Sequence, residues 1–451
     1  MIVDVAFLAW LMLASQPAGG QRLAASDAVG RPAAVPALRL PPPASRAATA
    51  QAPQEPPAPP PPPEQGAQAS SESKFNPAIS VIPDVEYYND DRDGEAPGMI
   101  SGADGFARPG SGDGHGEWER GFNLREVEVA FSAAVDPYFD ARAILAIATD
   151  SIEAEEVYVQ TRALAPGLQA RAGKFYSGIG YLNSKHPHQW DFVDAPLPYS
   201  QLLAGNLNEV GAQVTWLPAL PVYLLLGGEL LQGENEAIAQ HLGPGENAAF
   251  QDLPGPRVFT GFAKFSPNLA GSHTLQVGGS VVHSRSHQEL ADGADGTEAI
   301  QGPGTVVGTD VVYQFDSSQQ WGVGDLTVQG EYFWRRQDLA VVWPATTSTA
   351  RDRTQDGFYA QAVYGFAPRW KVGFRFDAAG LANEVRTASG AREAGSSRRY
   401  TADVTFLPTE FSRLRLQYTR ADVPVEGVRE GANQVWVQLQ VSLGAHGAHV
   451  F

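Results

Sequence analysis

A chain of 451 residues with a formal net charge of −18 and no cysteine excludes a disulfide framework, a thiolate metal centre and the clustered basic face that a nucleic-acid partner needs. By length alone it could be roughly two or three soluble domains, although large barrels run longer as one domain.

The chain opens on "VAFLAWLMLA" (Val5 to Ala14), an apolar run followed by the small residues of "SQPAGG". The run is too short to span a bilayer and has the length of a signal-peptide core. Asp4 stands where a basic residue is expected. Residues 1–25 therefore read as a signal peptide with an atypical start, which directs export. Residues 26–73 are rich in Ala, Pro, Gln and Ser and include "PPAPPPPP" at 56–63. Such a segment cannot bury a core, and its prolines favour extended polyproline II. It reads as a disordered periplasmic linker, reaching on the order of 150 Å if fully extended. It acts as a plain spacer or as a contact to a periplasmic or cell-wall partner.

From residue 74 onward the pattern is one of strands. "WKVGFRF" (370–376) sets Trp370, Val372, Phe374 and Phe376 on one face against Lys371, Gly373 and Arg375. "RLRLQYTR" (413–420) sets Leu414, Leu416 and Tyr418 against Arg413, Arg415, Gln417 and Thr419. Period-two segments of this kind recur sixteen times, the first near 78–88 and the last near 434–444. Short links such as "DPYF" (136–139), "APG" (165–167) and "APRW" (367–370) alternate with longer ones near 89–120, 181–207, 233–256, 287–307, 338–353, 380–397 and 423–433. Only "TDSI" (149–152) breaks the rhythm. The longest apolar stretch, "VTWLPALPVYLLLGGELL" (214–231), is broken as a helix by Pro218 and Pro221.

A soluble sandwich also alternates, but an even strand count with short turns at one end and long loops at the other marks an outer-membrane barrel. The predicted fold is all-β: a transmembrane antiparallel barrel of about 16 strands over residues 74–451, in the outer membrane of a Gram-negative bacterium. Its apolar face would meet lipid and lipopolysaccharide. Tyr87, Tyr88, Trp216, Trp321, Trp334 and Trp370 fall near strand ends, where interfacial aromatics belong.

The polar face would line the pore. Glu126 and Glu128 lie on the second strand, and Lys371, Arg375, Arg413 and Arg415 on late ones. Opposed acidic and basic walls orient polar solutes in a transverse field; a charged lining also simply keeps a lumen wet. "NDDRDG" (89–94) has Asn89, Asp91, Asp93 and Gly94 at calcium-loop spacing, but Ile100 stands where the bidentate Glu is required, so it reads as an acidic surface loop. No nucleophile elbow, phosphate-cradling loop or zinc-protease helix is present, and no enzyme is expected.

The densest group of chemistry-bearing residues is "HPHQWDFVD" (186–194). On extended backbone His186 and His188 project to one side, and Asp191 or Asp194 could add an oxygen. Imidazole with carboxylate suits zinc, giving a candidate metal set of His186, His188 and Asp191. The spacing fits no closed structural site, so loop packing without a ligand stands beside it.

"GFNLREVEVAFSAAVDPYF" (121–139), "GKFYSGIGYLN" (173–183), "WDFVDAPLPY" (190–199) and the terminal "SLGAHGAHVF" (442–451) resemble the Gram-negative outer-membrane proteins labelled zinc-regulated TonB-dependent receptors, which are related in pattern to phosphate-selective porins O and P. The resemblance covers most of residues 74–451. The chain has neither the length of a barrel of about 22 strands nor a folded plug before residue 74. Phe451 resembles the terminal aromatic that the barrel assembly machinery recognises, which makes that machinery an expected partner. The resemblance implies that loop 181–205 folds inward and narrows the channel. His186, His188, Trp190, Asp191 and Asp194 then form a constriction, stiffened by Pro187, Pro196 and Pro198, with Trp190 and Phe192 as anchors. The function expected is a porin-like channel for passive or weakly selective uptake of small hydrophilic solutes or ions, without cofactor, with a homotrimer as one assembly. The alternatives are a binding-type receptor for a metal such as zinc, and a structural protein tethered through its Pro-rich arm.

Overall fold

The computed structural model describes residues 77–106, 118–162, 164–293, 296–344, 350–387 and 389–444. The signal-peptide and linker expectations and the assembly signal at Phe451 lie outside these residues.

The barrel strands are β1 (Ala78–Asp90), β2 (Gly121–Ala134), β3 (Phe139–Ile147), β4 (Ile152–Thr161), β5 (Leu168–Tyr176), β6 (Asn208–Trp216), β7 (Tyr223–Leu231), β8 (Val258–Ser266), β9 (His273–Gly293), β10 (Gly296–Phe315), β11 (Leu326–Gln337), β12 (Arg351–Ala367), β13 (Trp370–Thr387), β14 (Ser397–Thr409), β15 (Ser412–Val425) and β16 (Val428–Val441). Each pairs antiparallel with the next, and β1 pairs with both β2 and β16, so the sheet closes and leaves no open edge. Short stretches at Ala340–Trp343, Gly390–Glu393 and Leu443–Gly444 extend it. All sixteen segments read from the sequence are present as barrel strands.

The alternation sets the two faces. On β15, Arg415, Gln417 and Thr419 are buried inside while Tyr418 stands out at 48% exposure. Val214, Leu230, Val281, Phe374 and Leu439 are likewise exposed on other strands. An apolar outer surface on a closed barrel is matched to hydrocarbon, where every backbone group must be satisfied within the protein. No helix among the described residues is long and apolar enough to cross a membrane. The architecture is that of an outer-membrane barrel.

Two of the expected long loops are strands instead. β9 and β10 stay paired up to Gly293 and Gly296 where 287–307 read as a loop, and β15 and β16 meet through Glu426 and Gly427 where 423–433 did. Glu426 and Gly427 both have positive φ (51° and 79°), as a tight two-residue hairpin turn requires. The link near 380–397 is likewise mostly strand, since β13 runs to Thr387 and pairs with Gly390–Glu393. In the β9 and β10 extensions consecutive residues are buried on both faces (Ser286 to Glu289, and Glu298 to Ile300), so the ladder continues after the one-sided apolar alternation has stopped. Tyr88 also departs from expectation. It lies next to outward Tyr87, so the pleat turns it inward, where it is fully buried against Trp118 and Trp436.

The interior is not an open bore. Residues 177–207, between β5 and β6, fold inside with a 3₁₀ turn at Pro187–Gln189 and a π turn at Pro198–Leu202. Leu182, Leu197, Tyr199 and Leu202 from this loop join Ile100 and Phe106 of the first loop, Ile238 and wall residues Phe333 and Tyr359 in one apolar cluster. Glu331 on β11 receives Tyr199 Oη and the Tyr181 and Leu182 amides. Gly180, at φ 56°, makes the turn there, where a Cβ would strike that carboxylate.

Candidate functional site

The inward loop meets two differently charged walls, and its side chains are sorted accordingly. At its start His186 precedes Pro187, the first residue of the 3₁₀ turn, and its amide donates to Gln189 Oε1 at 3.1 Å. His186 Nδ1 lies 3.1 Å from Glu155 Oε2 and 3.3 Å from Glu128 Oε2, and Nε2 lies 3.2 Å from Glu156 Oε2. His188 Nδ1 is 2.8 Å from the same Glu128 oxygen, and the two imidazoles stack at 5.7 Å. All five side chains are buried. Burial alone would lower the His186 pKa, but hydrogen bonds to Glu155 and Glu156 and the nearby Glu128 charge push it up to about 10. With carboxylates at both ring nitrogens, an imidazolium can donate at each end.

Glu155 and Glu156 are adjacent on β4, yet both face inward. The register against β3 jumps there: Ile144 pairs with Glu156 and Leu145 with Ala154, leaving Glu155 as the extra residue of a β-bulge. Tyr176 on β5 fixes the pair, its hydroxyl donating to Glu155 Oε1 at 3.1 Å and its amide to Glu156 Oε1 at 3.3 Å. A second bulge, on β2 opposite Asp84 and Val85, turns Arg125 inward beside Glu126. Arg125 Nη1 donates to Val193 O at 2.8 Å, and its guanidinium lies 5.4 Å over the Trp190 ring.

The other end of the loop meets cations. Asp194 carboxylate oxygens lie 2.8 Å from Arg375 and 2.8 Å from Arg399, with Gln417 donating at 2.7 Å. Asp377 sits between the two arginines at 3.0 and 3.3 Å. Burial would raise the Asp194 pKa, but the Arg375 and Arg399 charges hold it below the usual carboxylate range. Arg413 and Arg415 both donate to Trp190 O, at 3.0 and 2.9 Å, and Arg413 also reaches His188 O. The Phe192 ring lies 4.8 Å under Arg375, and Val193 packs on Tyr88 and Trp436. The loop's bases thus meet the acidic wall and its acid meets the basic wall.

The structure brings His186 and His188 together with Glu128, but not with Asp191. Asp191 instead accepts from Gln361 at 2.9 Å, which corrects the metal set read from the sequence. The reason is the turn at Pro187–Gln189, which ends the extended run that the spacing argument assumed. Glu126 and Arg375 are buried on the inner face, and Arg375, Arg413 and Arg415 bond the loop. Lys371 is only partly buried. Glu155, Glu156, Arg125, Arg399, Asp377 and Gln417 were missed. Two adjacent acids in "EAEEVYVQ" were the available sign of a bulge, because strict alternation cannot place both on one face. The "NDDRDG" residues do not converge. Asp90 Oδ1 caps the Arg92 and Gly94 amides at 3.0 and 2.7 Å, Asp93 pairs with Arg120, and Asp91 binds Asn433.

No family model matches the chain. In solved structures it is similar to the outer-membrane channel DcaP of Acinetobacter baumannii, with 12% identity over 82% of this chain and 96% of that one and a TM-score of 0.49. It is also similar to an anion-selective porin from Comamonas acidovorans, with 9% identity over 82% and 99% and a TM-score of 0.49. The trimer form of OmpT from Vibrio cholerae gives 10% identity over 82% and 99%, with a TM-score of 0.49. The zinc-regulated, TonB-dependent label finds no support in these comparisons. Among curated proteins, an uncharacterized protein of Aquifex aeolicus (strain VF5) is 35% identical over 396 residues, 84% of this chain and 81% of that protein. With identity of that extent, the chain belongs to one family with the Aquifex aeolicus protein.

Proposed function

We propose that the protein is a porin-like channel of the outer membrane for passive or weakly selective passage of small hydrophilic solutes or ions, with loop 181–205 at its narrowest level. The observation that carries this reading is the loop bound inside a closed barrel, between an acidic wall at Glu128, Glu155 and Glu156 and a basic wall at Arg375, Arg399, Arg413 and Arg415. Trp436, Gln438 and Arg415, which point inward, are 0%, 0% and 1% exposed, so the passage at this level is tight. Tightness favours small ions and polar solutes over bulky ones, and charges on both walls supply the field that orients them. Assembly as a homotrimer belongs to the same reading.

Planar-bilayer recording with ion-selectivity measurement is the test. The parent should give discrete small steps, and replacing residues 184–204 by a short Gly/Ser link should enlarge them several-fold with the barrel intact. A loop-excised barrel that still passes no current would sink the proposal.

A further inference from the structure

The acidic wall holds a constellation that conduction does not require. His186 Nδ1, Glu128 Oε2 and Glu155 Oε2 lie within 4.8 Å of one another, the nitrogen 3.3 and 3.1 Å from the two oxygens. A tetrahedral ion with bonds of about 2.0–2.1 Å sets its ligand atoms about 3.3 Å apart. The existing spacing needs little change to accept one. His188 Nδ1 lies 2.8 Å from the same Glu128 oxygen, at the edge of this three-residue group.

The surroundings are arranged as metal sites are. The far nitrogen of His186 faces Glu156 Oε2 at 3.2 Å, the carboxylate–imidazole pairing that fixes a metal-binding ring. An ion at Nδ1 displaces the proton that nitrogen shares with Glu155, so binding weakens as pH falls. Tyr176 Oη occupies Glu155 Oε1 and so leaves Oε2 for the ion. Two further observations point the same way. Glu128 is 1% exposed, and one of its oxygens is shared by His186 Nδ1 and His188 Nδ1 at 3.3 and 2.8 Å, so buried nitrogen and oxygen donors already converge on one point. Glu155 faces the cluster only because of the β4 bulge, a local irregularity of the kind found next to functional sites.

We propose that Glu128, Glu155 and His186 bind a divalent transition-metal ion of the zinc class, oriented by Glu156 and Tyr176, and that the ion fastens the loop to the barrel wall. The nitrogen and oxygen donors with no thiolate suit zinc and its neighbours rather than a soft monovalent ion. Asp191, held by Gln361, takes no part.

The test uses the full chain, purified in detergent, stripped with a chelator and titrated with zinc chloride by calorimetry at pH 7.5. One ion per chain should bind, and the thermal midpoint should rise with zinc. His186→Ala and Glu128→Gln should each weaken binding at least about 100-fold, and Glu156→Gln by about 10–100-fold through the lost orientation. Asp191→Asn should bind like the parent. Unheated gels show which variants remain barrels; if His186→Ala does not fold, Glu156→Gln and Tyr176→Phe carry the comparison. Absence of stoichiometric binding, binding unaffected in the folded cluster variants, or loss in Asp191→Asn overturns the site. A channel that conducts but binds no zinc overturns the site and leaves the channel reading standing.

Discussion

Asp194 and Arg375, 181 positions apart in the chain, meet at 2.8 Å with both side chains sealed from solvent. This pair, with Arg399 on the second carboxylate oxygen, holds the far end of the inward loop to the wall. Asp194→Asn leaves two buried guanidinium groups sharing Asp377 alone. Breaking a buried pair by removing one partner costs about 3–5 kcal/mol. The barrel should persist on unheated gels, its denaturant midpoint should fall, and its single-channel current should become larger or noisier. Unaltered current in this variant would mean that the pair does not position the loop.

The same pair sets an acid limit. The Asp194 pKa is depressed in the folded protein, so the stability it contributes is complete above its unfolded value of about 3.9 and is lost as pH falls through the lower folded value. The difference in denaturant midpoint between the parent and Asp194→Asn should therefore be constant from neutral pH down to about 5 and shrink only below about 4. A midpoint difference that shrinks near neutrality would contradict the assignment to Asp194.

Adjacent residues on β15 should behave oppositely. Leu416 faces lipid, and Leu416→Arg should destabilise the barrel by roughly 2–4 kcal/mol if it lies near the bilayer midplane. Arg415→Leu keeps the lipid face but removes the donors to Trp190 O and Gln438 Oε1. It should therefore change conductance more than assembly. Comparing refolding yield in lipid vesicles with single-channel current separates the two effects.

Trp436→Ala should remove the centre of the Tyr88–Trp118–Trp436 group, whose ring centroids lie 5.1 to 6.0 Å apart. The expected loss is about 3–5 kcal/mol, the usual range for emptying a buried aromatic site. Tryptophan fluorescence during urea unfolding measures it. A loss under about 1 kcal/mol would mean that the group is not packed as the distances imply.

The barrel was readable in the sequence because lipid on one side and a polar interior on the other impose a strict period of two, which Leu414, Leu416 and Tyr418 follow against Arg413, Arg415 and Gln417. That signal stops where lipid no longer covers one face, and in β9 consecutive residues Ser286 to Glu289 are buried on both, so the far parts of β9, β10, β15 and β16 passed for loops. The loop's chemistry was half legible. His186 and His188 stood out as residue types, but their partners depend on two one-residue bulges that no periodicity reports. Glu155 is inward only through such a bulge, and Asp194 finds Arg399 only once the barrel closes. Asp191, three residues before Asp194, looked equivalent in sequence and ends beside Gln361 instead.

The loop also has a mechanical consequence. It is held at one end by Glu128, Glu155 and Glu156 on β2 and β4, partway by Glu331 on β11, and at the other end by Arg375, Arg399 and Gln417 on β13, β14 and β15. A hollow cylinder of strands resists stretching along its hydrogen bonds but is soft toward flattening into an ellipse. A chain segment bonded to separate arcs of the wall acts as a spoke and stiffens that soft mode. The lateral pressure of the bilayer then bears on a braced cross-section, and the width of the passage is set by the loop and not by the lipid around it.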